Sequence, residues 1–109
     1  MTRFGNIFAE VPDRLVEEQV EEILSAPDVR IERIVSTGQA SAEGFWYDEP
    51  WDEWVIVLSG AGGLQIEGEP APRALRAGDW LHLRAGLRHR VAWTDQERPT
   101  IWLAVHFAA

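Results

Sequence analysis

The chain has 109 residues, 46% of them apolar, and a net charge of −8, which suits one domain with one core and disfavours nucleic acid or an anionic membrane as a partner. Cysteine and lysine are absent, so disulfides, thiolate chemistry and lysine Schiff bases are excluded; carboxylates, His82, His89, His106, Tyr47, arginines and a few hydroxyls are left to do chemistry. No apolar run is long enough to span a membrane, and "MTRFGNIFAEVPDRL" lacks the apolar core of a signal peptide, so a cytoplasmic location is expected.

In chain order, "NIFAEV" reads as a short strand or an extended arm. "PDRLVEEQVEEILSAPD" follows as the one expected helix. Pro12 suits its first turn, Leu15, Val16, Val20, Ile23 and Leu24 form an apolar stripe, and Glu17, Glu18, Glu21 and Glu22 form a solvated face. Pro27 ends it. From there the pattern is that of short strands. "VRIERIVS" alternates, with Val29, Ile31, Arg33 and Val35 on one face and Arg30, Glu32, Ile34 and Ser36 on the other. "EWVIVLSG", "AGGLQIEG", "RALRAG", "GDWLHL", "HRVAWT" and "TIWLAVHFA" complete the set, separated by Gly and Pro. Such spacing predicts a sandwich or barrel. The expected organisation is an N-terminal arm and helix over 1–28 packed on a β domain over 29–109.

Two strands are apolar on both faces. In Glu53–Ser59, Val55 and Val57 oppose Trp54, Ile56 and Leu58; in Ile101–Phe107, Ile101, Leu103, Val105 and Phe107 oppose Trp102 and Ala104. A small barrel has one buried inside, so the second face needs a cover, and a homodimer is expected.

The stretch "GFWYDEPWDEWVIVLSG" concentrates aromatics and acids. With "GDWLHLRAGLRHRV" it carries a family resemblance. The second stretch is similar to the second cupin motif, G-x5-P-x-G-x2-H-x3-N: Gly78, Gly86 and His89 match, Arg84 stands for the proline and Trp93 for the asparagine. The first resembles the first cupin motif, G-x5-H-x-H-x3/4-E-x6-G, through Glu53 and Gly60. Its histidine positions hold Tyr47 and Glu49 with the shorter spacer, or Trp46 and Asp48 with the longer.

The resemblance covers about Arg30 to Phe107. It implies an all-β fold, the cupin-type double-stranded β-helix or jelly-roll barrel, with the N-terminal helix as an addition. It also implies a divalent metal held inside the barrel, for which only Glu53 and His89 carry over. Glu49, Asp48 and His106 could complete such a set. A histidine with several carboxylates suits manganese, ferrous iron or zinc.

Three functions follow as expectations. The first is a metal-dependent enzyme on a small molecule, of dioxygenase, isomerase or lyase type. The second is a metal-free binding module or acid–base enzyme, with Glu53 or Glu49, His89 and Tyr47 as the proton-transfer groups, as in the epimerase-type cupins that work with histidine and tyrosine. The third is a purely structural dimeric barrel. Strand parity places His89 inward together with Val91 and Trp93, with Arg88, Arg90 and Thr94 outward, and Glu53 inward with Val55 and Val57. His82 and His106 are open between the interior and a structural role.

Overall fold

The computed structural model describes residues 2–109. Eight strands form it: β1 (Gln19–Ala26), β2 (Val29–Ser36), β3 (Asp52–Ser59), β4 (Ala61–Ile66), β5 (Arg73–Arg76), β6 (Trp80–Leu83), β7 (His89–Thr94) and β8 (Thr100–Phe107). All pairings are antiparallel, in a five-stranded sheet of order β1-β2-β8-β3-β6 facing a three-stranded sheet of order β5-β4-β7. The expected all-β double-stranded β-helix is the observed fold. Among the described residues no helix is long and apolar enough to cross a membrane.

The expected N-terminal helix is not formed. Gln19–Ala26 is an edge strand of the larger sheet, and Pro27–Asp28 turns it into β2. A bulge between Glu22 and Leu24 explains the difference. One extra residue breaks the period of two, so that apolar positions fall at spacings of three and four, like those of a helical stripe. Pairing partners then decide the conformation. Glu21 lies opposite Arg33 and forms an ion pair with it, while Val20 lies opposite Ile34. "NIFAEV" is an arm with a turn, and its Ile7 and Ala9 carbonyls accept from the buried Arg33 guanidinium.

The register sorts the barrel interior into rows. Arg30, His106, Glu53 and Leu83 lie side by side across β2, β8, β3 and β6. The next row is Glu32, Ala104, Val55 and Leu81, and the next Ile34, Trp102 and Val57. One end of the barrel is therefore polar. The other holds the core, in which Val55, Val57, Leu64, Ile66, Leu75, Leu83, Trp102 and Ala104 are buried together.

Glycines let the two sheets close. Gly60, at φ 84°, turns β3 into β4, and a Cβ there would sit 2.6 Å from Thr100 Oγ1, so both the backbone angle and the space demand glycine. Gly62 and Gly63 lie flat beneath two indoles. A Cβ on Gly62 would meet Trp102 at 2.5 Å, and one on Gly63 would meet Trp93 Nε1 at 2.1 Å. A bulge in the β4–β7 pairing, between Gly63 and Leu64, breaks the alternation expected for β7. His89 and Val91 line the interior as expected, but Trp93 is a partly exposed side chain over Gly63, and Thr94 is buried and donates to the Gln39 carbonyl.

Candidate functional site

The polar rows open into a cavity of about 170 Å³. Glu18, Glu32, Glu49 and Glu53 contribute carboxylates, Arg30, His89 and His106 contribute nitrogen, and Tyr47 and Trp102 add aromatic surface over an apolar floor.

Residues 37–51, joining β2 to β3, build one wall. The segment runs along β7 as an incomplete extra strand: Tyr47 N–H donates to the His89 carbonyl at 2.7 Å, His89 N–H returns to the Tyr47 carbonyl at 3.1 Å, and Gly86 N–H donates to the Glu49 carbonyl. Alternation along it sends Tyr47 and Glu49 into the cavity. Asp48 is outside the cavity lining, and Trp46 packs beneath Arg88 and Arg90. Of the two candidate pairs, Tyr47 and Glu49 line the cavity, and Trp46 and Asp48 do not.

His89 is buried and clamped. Its Nδ1 lies 2.9 Å from the Leu87 carbonyl, which only accepts, so Nδ1 carries a proton. Its Nε2 faces Glu53 Oε1 at 3.6 Å, and Tyr47 stacks on the ring at 5.4 Å. Burial disfavours the charged ring, but the Glu53 carboxylate, the Leu87 carbonyl and the charge of Glu49 outweigh it, so His89 titrates above its ordinary value. Tyr47 moves the opposite way in charge. Burial, then the negative Glu18, Glu53, Glu49 and Glu32, raise its pKa and keep it a neutral phenol.

His106 is engaged on both sides. Trp51 Nε1–H donates to its Nδ1 at 3.0 Å, and its Nε2 lies 3.0 Å from Glu32 Oε1. An indole N–H only donates, so Nδ1 is the acceptor and the proton sits on Nε2, facing Glu32. The other Glu32 oxygen accepts from Arg30 Nε, and Arg30 stacks over Trp51 at 5.3 Å. His82 is outside the cavity. It pairs with Asp52 at 2.8 Å and stacks on Phe107, and Asp52 also accepts from Ala85 N–H. The Ala85 N–H, followed by His82, holds the Asp52 carboxyl below its ordinary pKa.

This donor set does not fit the metal that the cupin motif implies. Among the described residues no three His, Asp or Glu side chains converge as ligands. His106 has no free lone pair and Asp48 is outside the cavity lining, while His89, Glu53 and Glu49 share the cavity without converging as a ligand set.

Glu18, Glu32 and Arg30 also line the cavity, though the motif spacing points to none of them. The helical stripe puts Glu18 on a wet face; the β1–β2 hairpin instead turns it toward Ser36. Its Oε2 accepts from Ser36 Oγ at 3.0 Å, and Ser36 Oγ in turn accepts from Trp102 Nε1 at 3.2 Å. Burial raises the Glu18 pKa, opposed by the Ser36 hydrogen bond and aided by the charge of Glu53. The outward-inward alternation of "VRIERIVS" does carry the signal for Arg30 and Glu32.

The cupin domain model matches residues 34–106. No curated protein matches the chain. A crystal structure from Ralstonia eutropha JMP134, described as a candidate mannose-6-phosphate isomerase, is 55% identical, with a TM-score of 0.97 over 99% of this chain and 100% of that one. A conserved protein with a double-stranded β-helix domain from Klebsiella pneumoniae gives 20% identity and a TM-score of 0.78, over 98% and 90% of the two chains. A protein from Thermus thermophilus gives 14% and 0.79, over 98% of each. The last two show the shared fold.

Proposed function

The chain belongs to the cupin domain family, and on that premise we propose that its barrel binds a small, uncharged, hydroxyl-bearing carbonyl compound and activates its carbonyl oxygen with the protonated His89 ring. The clamped ring of His89 carries this reading. With Nδ1 tied to Leu87, only Nε2 faces the cavity, and its 3.6 Å gap to Glu53 exceeds a hydrogen bond. A ligand oxygen can settle there against the imidazolium N–H. That donor points to where negative charge develops when a carbonyl is activated. The neutral Tyr47 phenol offers a second polar group.

Charge and size narrow the ligand. Four carboxylates against one permanent cation, Arg30, disfavour an anion, while carboxylates accept well from hydroxyls. A cavity of about 170 Å³ lies below the roughly 300 Å³ at which ligand pockets usually begin, which suits a compound of a few carbons. The name given to the Ralstonia relative suggests aldose–ketose chemistry, which is carbonyl activation of this kind. A phosphate dianion, however, would face the carboxylates, so an unphosphorylated triose-sized compound is the better match.

Dihydroxyacetone serves as the probe. Ligand-observed NMR is expected to show binding to the wild-type protein and at least tenfold weaker binding to His89→Ala. No binding to the wild type, or equal binding to both, overturns the proposal. Elemental analysis of protein purified without a metal-affinity tag is expected to find no stoichiometric manganese, iron or zinc. One equivalent of metal, with probe binding lost on chelation, would replace this reading with a metal-centred one.

A further inference from the structure

We infer that Glu18 is the base of this pocket, taking a proton from the carbon next to the carbonyl that His89 activates. The inference rests on the proposed function above and goes beyond it by naming a reaction and the group that performs it.

The hydrogen-bond chain behind Glu18 fixes which of its oxygens is available. An indole N–H can only donate, so Trp102 must give its proton to Ser36 Oγ at 3.2 Å. Ser36 then has one hydrogen left, and it points at Glu18 Oε2, 3.0 Å away. Ser36 is fully buried and Trp102 nearly so, which makes this a rigid backing. Glu18 Oε1 has no hydrogen-bond donor among the described residues, and Glu18 lines the cavity. One oxygen is anchored; the other is free to act.

The surroundings set its basicity. Glu53 from β3, Tyr47 and Glu49 from the 37–51 segment, and Arg30, Glu32, His89 and His106 from β2, β7 and β8 share the cavity. Among the described residues that line the cavity, Arg30 alone is a permanent cation set against the carboxylates. Burial and the charge of Glu53 make Glu18 a stronger base than a solvated carboxylate. The His89 pKa is raised as well, which favours its protonated form. The cavity therefore brings together a carboxylate made more basic by burial and an imidazole whose protonated form is favoured, the two kinds of group that proton abstraction beside a carbonyl requires.

The step balances without a co-reactant. Glu18 Oε1 takes the proton from the carbon adjacent to the carbonyl. The C–H electrons form the C=C bond, the carbonyl π electrons move to oxygen, and that oxygen takes the Nε2 proton of His89. The ligand becomes an enediol, Glu18 is protonated and His89 is neutral. Return of the two protons restores the protein and gives back the starting compound, with its hydrogen exchanged, or its aldose–ketose isomer.

Dihydroxyacetone in D2O tests this, with the loss of its CH2 signal followed by NMR. The wild-type protein is expected to accelerate exchange above buffer. Glu18→Gln is expected to bind the probe but exchange it at least 100-fold more slowly, within the range for loss of a proton-transfer group. Glu18→Asp, with the carboxylate withdrawn, should fall between the two. The rate should follow a bell in pH, rising as Glu18 ionises and falling as His89 loses its proton. Ser36→Ala supplies the readout that a merely structural role would not move. Removing the hydrogen bond that lowers the Glu18 pKa shifts the acidic limb of the bell upward. Binding without exchange in the wild type, or exchange by Glu18→Gln at the wild-type rate, overturns the assignment of Glu18 and leaves the pocket standing. Failure of the probe to bind the wild type removes both.

Discussion

His89 and Glu18 show how burial has opposite outcomes for two ionisable groups. His89 loses solvent but gains a carboxylate and a carbonyl, and its charged form is favoured. Glu18 loses solvent and gains a neutral hydroxyl, and its charge is disfavoured. Both pKa values are raised in the folded protein, so the sign of the linkage is the same. The His89 contribution to stability is fully present below its ordinary value of 6.5 and fades as pH rises through the raised folded value. The Glu18 contribution is present below 4.5 and fades as pH passes its own raised value. Glu18→Gln, which removes the ionisation, should therefore raise the melting temperature at neutral pH and leave it near the wild-type value at pH 4. Thermal unfolding across pH checks this, and equal melting temperatures for the two proteins at neutral pH would contradict it. A gain in stability on loss of the proposed base is expected of a group held for chemistry.

At the scale of elements, the closure of the barrel rests on two adjacent glycines with different neighbours. Gly62 faces Trp102, which is buried and hydrogen-bonded, whereas Gly63 faces Trp93, which is partly exposed and can swing away. Gly62→Ala should cost about 1–3 kcal/mol, as overpacking does. Gly63→Ala should cost less, and urea unfolding of the two variants compares them directly. The same elements show what the sequence could reveal. β2, with its unbroken alternation and flanking turns, is read correctly from Val29 to Ser36, and β7 from His89 to Thr94. β1 is not, because a bulge disguises its period and its stability comes from Arg33 and Val35 on another strand, information that no local window contains. The β7 bulge likewise turns Trp93 outward. The candidate site follows the same division. Tyr47, Glu49, Glu53 and His89 are legible through the motif spacing, and the fold brings them to one cavity. Glu18 lies just ahead of β1, and the bulge that disguises β1 as a helical stripe puts it on an apparent wet face. The engagement of both His106 nitrogens depends on Trp51 and Glu32, which are distant in sequence and become neighbours only through the β2–β8 and β3–β8 pairings.

The whole molecule is a small barrel with a polar end and an apolar end. The register of β2, β8 and β3 puts Arg30, His106 and Glu53 in one row and the large apolar side chains two rows away. Charged groups at the polar end are thereby held in a partly desolvated cavity, where neighbouring charges act strongly on one another. Tyr47 and Glu49 face this cavity together with the clamped imidazole of His89, whose Nε2 lies toward Glu53. Glu53 favours the protonated form of His89, whose Nε2 faces the cavity. The direct test is an NMR titration of the His89 ring nitrogens in the wild-type protein and in Glu53→Gln. The wild-type midpoint is expected above 6.5 with Nδ1 protonated throughout, and a clearly lower midpoint is expected in Glu53→Gln. A wild-type midpoint at or below 6.5, or the same midpoint in both proteins, would contradict it.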